Sequence, residues 1–429
     1  MFDYVKTRSI RIREAENMAR TILHSDLNCF YASVEMAMDS TLRGKAMAVC
    51  GSIENRHGII LAKSEPAKRA GVKTAMVAWE AKQLCPELIL VPPHFDKYAE
   101  YSRRVRQIYA RYTDMIEPFG MDECWLDVTG SRIIAGSGVD IAEKIRREVR
   151  EELDLTVSIG VSFNKVFAKL GSDLKKPDAV SVITEENFRR VVWPLPLGDL
   201  LYAGPATVNR LATFGINTIG DAARTPKHQL IHLLGKQGET LWTFANGLDS
   251  ARVMPAGHEA PPKSVGHGVT CSSDLHDAQE VWRVELDLAQ EIGHRLRKQN
   301  LSAQGVQLAI RDNVLATRQY QAQLLYPTQS PLELARAAHE LFARQYNWAL
   351  PVRAVTVTAI NLIPEAQPVQ MSLFDDMHLH LRQARIDAAV EKIRGRFGNA
   401  AIRPAVLMGE HKMGSDELKE MKMPGQMYT

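Results

Sequence analysis

Gly120-Met121-Asp122-Glu123-Cys124-Trp125-Leu126-Asp127-Val128 is the stretch on which the reading of this 429-residue chain turns. Two adjacent carboxylates precede a strand-like apolar run that ends at Thr129-Gly130-Ser131. Neighbouring residues of a strand face opposite ways, so both carboxylates reach one site only from a strand end or a turn. Gly120 suggests the turn. An earlier stretch, Thr21-Ile22-Leu23-His24-Ser25-Asp26-Leu27-Asn28-Cys29-Phe30-Tyr31, has the same form: a short apolar run, one carboxylate, then aromatics. Three carboxylates on strand ends suit a pair of Mg²⁺ ions, hard cations that combine a few carboxylates with substrate phosphates. Taken alone, Asp122 and Glu123 read more simply as solvated hairpin residues.

The length suggests about three domains. Hydrophobic residues at 45% and charged residues at 24% are ordinary for a soluble globular protein. A formal charge of +3 and a pI near 8.5 permit nucleic-acid binding without demanding it. Cys29, Cys50, Cys85, Cys124 and Cys271 are scattered without a C-x-x-C pair. That argues against a zinc module or a disulfide framework and fits a reducing cytoplasm. No apolar run approaches the roughly 20 residues that span a bilayer, so no membrane partner is expected. Residues 1–20 are charged and lack the apolar core of a secretory signal. They read as an N-terminal extension.

From Ile22 to about Val91 the pattern runs strand, helix, strand, helix. Residues 98–112 predict a helix with Tyr98, Tyr101, Val105, Ile108 and Tyr112 on one face. Residues 140–153 predict another, followed by a strand over 156–161. Ser162 is a plausible N-cap for a helix over 163–175 that Pro177 stops, and Lys165, Lys169 and Asp173 share one of its faces. Pro194 and Pro196 mark a junction, and Gly- and Pro-broken helical pieces fill 198–250. Residues 251–263 read as a linker by composition. Beyond it lies βαββαβ: strand 264–272, helix 278–300, strands 303–311 and 319–326, helix 331–346, strand 352–361. A helix from about 377 to 397, ended by Gly398, follows a polar segment, and the last fifteen or so residues read as disordered.

Several signatures occur in a fixed order: Asp26-Leu27-Asn28-Cys29-Phe30-Tyr31-Ala32-Ser33-Val34-Glu35; Ala67-Lys68-Arg69-Ala70-Gly71-Val72; Asp122-Glu123-Cys124-Trp125-Leu126-Asp127; Ser158-Ile159-Gly160-Val161-Ser162-Phe163-Asn164-Lys165-Val166-Phe167-Ala168-Lys169-Leu170; Asp173-Leu174-Lys175-Lys176-Pro177; and Lys263-Ser264-Val265-Gly266. Each is weak by itself, and the ordered set is specific. With them the chain resembles the Y-family of translesion DNA polymerases, of the bacterial polymerase IV-like kind, over about residues 21–364. The resemblance implies an α+β right-hand polymerase: palm from 21–29 and 95–184, small fingers from 30–94, helical thumb from 185–250, linker 251–263, βαββαβ little finger 264–364, and a tail from 365 to 429. It implies low-fidelity, template-directed addition of dNTPs to a primer 3′-hydroxyl opposite damaged bases. The enzyme would be a cytoplasmic bacterial monomer that associates with the nucleoid when acting.

On the matching positions, the resemblance implies that Asp26, Asp122 and Glu123, with the Leu27 backbone carbonyl, hold two Mg²⁺ ions, for which Mn²⁺ can substitute. Tyr31 matches the steric gate that clashes with a 2′-hydroxyl, although an arbitrary helical Tyr is more often core. Lys169 matches a lysine on the triphosphate, a compact point charge suited to that task. The amides of Cys29 and Phe30 would cap the same phosphates. Relatives carry Tyr and Arg on the fingers where this chain has Glu65 and Lys68. A carboxylate cannot donate to phosphate, and Lys lacks the bidentate fork of Arg. Gly120 replaces a usual Ser, and Gly204-Pro205-Ala206 replaces a Gly-x-Gly hairpin, removing one backbone donor.

Residues 264–364 carry as many basic as acidic side chains, so weak, distributive binding of primer–template DNA is expected. Gln370-Met371-Ser372-Leu373-Phe374 resembles the linear motif that docks bacterial polymerases on the sliding clamp, and tethering raises effective concentration at the primer end. The same residues could simply open the following helix. Short fingers imply low accuracy, with the lesion pocket bordered by Ser64, Glu65 and Met76. Two other classes compete: a palm-type nucleotidyl cyclase, which needs no duplex cradle, and a noncatalytic polymerase-like scaffold, which would not keep its carboxylates.

Overall fold

The computed structural model describes residues 20–53, 56, 58–367, 377–399, 401–408 and 412. Gln370, Met371, Leu373 and Phe374 of the clamp-type motif lie outside the described residues, as does the N-terminal extension up to residue 19.

The chain divides into two compact units: among the described residues the first holds 20–51 and Ile59–His258, and the second takes Ser52, Ile53, Arg56 and Gly58 together with the chain beyond His258. The first begins with β1 (Ile22–Leu27) and α1 (Phe30–Met38), then β2 (Met47–Cys50), β3 (Ile60–Lys63), α2 (Glu65–Arg69), α3 (Ala78–Leu84) and β4 (Ile89–Val91). It continues with α4 (Phe95–Tyr109), β5 (Ile116–Pro118), β6 (Glu123–Asp127), α5 (Arg132–Ala135), α6 (Gly138–Leu153), β7 (Val157–Ser162), α7 (Lys165–Leu174) and β8 (Val180–Val182). Five short helices follow: α8 (Phe188–Val191), α9 (Pro205–Ala212), α10 (Ile219–Arg224), α11 (Lys227–Leu234) and α12 (Lys236–Ala245).

The main sheet has the order β5-β6-β1-β7-β8, and β1 is antiparallel to both its neighbours. Every residue of β1 is buried because both faces of the sheet are covered. Leu23 and Leu27 pack into a cluster with Tyr98, Val105 and Ile108 of α4 and Ile141, Ile145 and Val149 of α6. Ile22 joins Trp125, Val166, Phe167 and Leu170 on the other side, where α7 lies. A smaller sheet, β3-β2-β4, forms within the segment expected as fingers.

Three local expectations shift. The predicted helix over 98–112 begins at Phe95, and Tyr109 rather than Tyr112 turns fully inward. Ser162 is not the cap of α7: β7 runs through it, and Asn164 accepts from the Phe167 N–H at 2.8 Å instead. The first half of the predicted linker is anchored. Met254 N–H donates to Glu117 at 2.9 Å, Ala256 N–H to the Asp114 carbonyl at 2.8 Å, and Val253 is buried. Proline- and glycine-rich composition foretold irregular backbone correctly but not its attachment. Gly204 and Pro205 open α9 with the proline at its start, where a missing N–H costs no intrahelical bond.

The second unit follows the predicted βαββαβ order: β9 (Ser264–Leu275), α13 (Ala278–Lys298), β10 (Leu301–Asp312), β11 (Thr317–Thr328), α14 (Pro331–Gln345) and β12 (Val352–Pro364). Its antiparallel sheet has the order β11-β10-β12-β9, with α13 and α14 packed on it. A last helix, α15 (Met377–Phe397), lies against α13 and α14 through His294–Glu391, His380–Glu333 and Arg394–Gln290 contacts.

Candidate active site

The alternation of β1 places Ile22, His24 and Asp26 on the side of the sheet that faces α7. Asp26 stands directly opposite Glu123, the first residue of β6. Direct cross-strand partners project from the same face, so the two carboxylates meet at one corner of the sheet. Asp122 lies one residue earlier, in the turn, and Leu27 N–H donates to its carbonyl at 3.0 Å. Gly120 makes that turn at φ +94°, a conformation that glycine adopts without a Cβ penalty and serine does not.

The α7 segment supplies opposite charge. Lys169 pairs with Glu123 Oε2, which also takes His24 Nε2 at 3.1 Å. Lys176, just past the helix end, reaches Asp26 Oδ2 at 2.6 Å and Asp173 Oδ1 at 2.8 Å. Sequence reasoning gave Lys176 no role, although it falls inside one of the quoted signatures. Lys165 shares the helix face of Lys169 but sits deeper. It is fully buried, pairs with Glu117 at 2.6 Å and lies 4.8 Å over the Trp125 ring.

Electrostatics follow from this crowding. Burial, then the Asp26 and Glu123 charges, push the Asp122 carboxyl up to about 6. Asp26 is raised as well, mainly by burial and despite Lys176. Burial would also raise Glu123, but the His24 hydrogen bond and the Lys169 ammonium hold it down at about 2. Burial lowers the buried His24, which keeps it a neutral hydrogen-bonding support for Glu123.

Three carboxylates close enough to shift one another are hard oxygen donors of the kind that divalent Mg²⁺-type ions take. Among the described residues no group of three His, Cys, Asp or Glu is already in metal-ligand arrangement. One oxygen each of Asp26 and Glu123 is turned to a lysine. The donor set fits such an ion.

The residues expected from the sequence as nucleotide contacts gather at the same end of β1. Cys29 adopts a left-handed conformation, φ 51°, and starts α1, whose first N–H groups have no partner inside the helix. Tyr31 stacks on Tyr98 and its hydroxyl meets the Met121 sulfur at 3.6 Å, next to Asp122. Phe30 is buried. Lys68 is more than half exposed and pairs with Glu65 at 3.4 Å, while Glu65 also accepts from the Cys29 thiol at 3.5 Å. Lys68 is therefore held beside the start of α1 by Glu65.

Two profiles of the impB/mucB/samB family match the chain, the main one over residues 25–173 and the C-terminal one over 262–373. A DNA polymerase IV of Acetivibrio thermocellus is 46% identical over 391 residues, covering 91% of this chain and 98% of that protein. DNA polymerase IV 1 of Bacillus subtilis is 36% identical, covering 90% and 92%. A solved Y-family DNA polymerase chimera superposes with TM-score 0.70 at 24% identity, covering 80% of this chain and 99% of that one, a likeness of fold.

Proposed function

The chain belongs to the impB/mucB/samB family, the Y-family DNA polymerases of the polymerase IV kind, and from that premise we propose that its Asp26–Asp122–Glu123 corner is the nucleotidyl-transfer centre. The protein is a translesion, DNA-directed DNA polymerase that acts on primer–template DNA and dNTPs and depends on divalent cations. The observation that carries the site assignment is the direct opposition of Asp26 and Glu123, with Asp122 beside them in the turn.

Asp26, Asp122, Glu123 and the Leu27 carbonyl would hold two Mg²⁺ ions, with Mn²⁺ able to substitute. The chemistry such ions supply is a lowered pKa for the primer hydroxyl and neutralised charge on the triphosphate and leaving pyrophosphate. The chain's own residues do the rest. Lys169 and Lys176 exchange carboxylate oxygens for phosphate oxygens as nucleotide arrives. The amides of Cys29 and Phe30 cap the phosphates at the start of α1, with Lys68 as an outer contact restrained by Glu65. The Tyr31 ring lies under the sugar and excludes a 2′-hydroxyl.

Gln370, Met371, Leu373 and Phe374 would dock a monomer on the sliding clamp, in a cytoplasmic enzyme that meets the nucleoid when acting. No helix among the described residues is long and apolar enough to cross a membrane. Primer extension on a damaged template, with and without a sliding clamp, tests this reading. Template-dependent products that deletion of residues 370–374 makes insensitive to clamp would support it. Cyclic products from NTPs without DNA would instead favour a cyclase.

A further inference from the structure

The Tyr31 ring is held by a layer of residues behind it. It stacks on Tyr98 of α4 with centroids 4.2 Å and planes 12° apart, and Phe95 meets it edge-on at 6.0 Å. Tyr98 is fully buried, and burial raises its hydroxyl far above the ordinary phenol range, so it remains a donor. That hydroxyl donates to Glu35 Oε1. Glu35 lies on α1 one turn beyond Tyr31, is only 3% exposed, and also takes His94 Nδ1 at 3.0 Å and 3.1 Å. A carboxylate at that depth is costly unless it is hydrogen-bonded. Nothing in the carboxylate corner uses it.

Stacking fixes the separation of two rings but lets one slide over the other. The Tyr98–Glu35 bond removes that freedom, because it ties the lower ring back to the helix that carries the upper one. A gate that works by collision needs such a stop. If the ring can retreat, the extra hydroxyl fits.

We propose that Glu35 is a positioning residue for sugar discrimination, acting through the Tyr98 hydroxyl to hold the Tyr31 ring against the 2′-carbon of the incoming nucleoside triphosphate. The proposal rests on the reading of Tyr31 as the sugar gate. A displacement of about 1 Å at a reacting complex changes rates by up to about a hundredfold, and a loosened rather than displaced ring should give less.

The test is single-nucleotide incorporation by the full chain, with the ratio of ribo- to deoxyribonucleotide kcat/KM as readout. Tyr98→Phe deletes one oxygen and keeps the stack, so it stays informative if Glu35→Leu fails to fold. Both should raise the ratio by roughly three- to thirtyfold, with dNTP incorporation within about twofold of native. Glu35→Gln should stay nearer native, because its amide oxygen still accepts from Tyr98. Tyr31→Ala is the control and should raise the ratio most. If Tyr31→Ala relaxes discrimination while Tyr98→Phe leaves it native, the proposal is overturned and the gate stands. Equal loss of ribo- and deoxyribonucleotide incorporation in Tyr98→Phe likewise overturns it. An unchanged ratio in Tyr31→Ala overturns the gate reading and this proposal together.

Discussion

Asp26 and Glu123 face each other directly across the antiparallel strands β1 and β6, and each carboxylate carries its own lysine, Lys176 and Lys169 respectively. Like charges on neighbouring strands repel. The lysines offset that repulsion, and both come from the segment that packs over the same sheet face. Under the proposed function, divalent ions would take the place of the ammonium groups on these carboxylates and leave the lysines to substrate phosphates.

The lysines should therefore matter for nucleotide more than for DNA. Hydrogen bonds to charged groups contribute about 1.5–3 kcal/mol, so Lys176→Ala and Lys169→Ala should each lower kcat/KM for dNTP by roughly ten- to a hundredfold. DNA affinity should be nearly unchanged. Steady-state kinetics with a titrated dNTP checks this, and a native KM in Lys176→Ala would remove that residue from phosphate binding.

Lys165 and Glu117 form a fully buried pair, and Glu117 also fastens the Met254 backbone. Breaking such a pair from one side leaves a bare charge, and Lys165→Met should cost about 3–5 kcal/mol. Lys165→Met combined with Glu117→Gln should recover much of that loss. Denaturant unfolding of the single and double variants measures the coupling, and strict additivity would contradict it.

Gly160 of β7 lies against the backbone of α7. A Cβ there would come within 1.9 Å of the Ala168 carbonyl oxygen and 2.5 Å of the Ser172 nitrogen. Backbone cannot swing aside as a side chain can, so Gly160→Ala must push the helix off the sheet. Overpacking of this kind costs about 1–3 kcal/mol or more. It should also weaken the Lys169–Glu123 pair, lowering both melting temperature and dNTP incorporation. A variant of native stability would show that the helix can shift freely.

In the second unit, Glu285 is buried with one oxygen on His339 at 2.7 Å and the other without a partner among the described residues. Burial lifts the Glu285 carboxyl to about 7, and the Glu285 hydrogen bond raises His339. The folded pair thus keeps a proton that the unfolded chain releases. Stability from the raised Glu285 carboxyl is fully present below its unfolded value of about 4.5 and is lost as pH rises through its folded value of about 7; the raised His339 adds a loss that begins above its unfolded value of about 6.5. Glu285→Gln should flatten the fall in melting temperature between about pH 4.5 and 7. A fall as steep as in the native protein would assign the pH dependence elsewhere.

Much of this was legible in the sequence, and what was not had physical reasons. The strand form of β1 and the turn at Gly120 followed from a short apolar run and a glycine, and α15 matches the predicted 377–397, with Gly398 ending it. That Asp26 meets Glu123 needed the resemblance, since spacing cannot reveal which strands pair. Lys176 escaped because a lysine before proline reads as a helix end, and its partner is 150 positions away. Glu35 and Tyr98 read as ordinary members of amphipathic helices, and their bond appears only once α1 and α4 are packed.

The central claim is that the corner of Asp26, Asp122 and Glu123 carries out nucleotidyl transfer. The most direct test compares Asp122→Asn and Glu123→Gln with the native protein in single-turnover primer extension, alongside DNA binding by fluorescence anisotropy. These near-isosteric changes remove charge and leave volume. Losing an electrostatic group from such a centre should slow extension by at least about a hundred- to a thousandfold, with DNA affinity within a few-fold of native. Near-native extension by either variant at saturating Mg²⁺ would contradict the assignment.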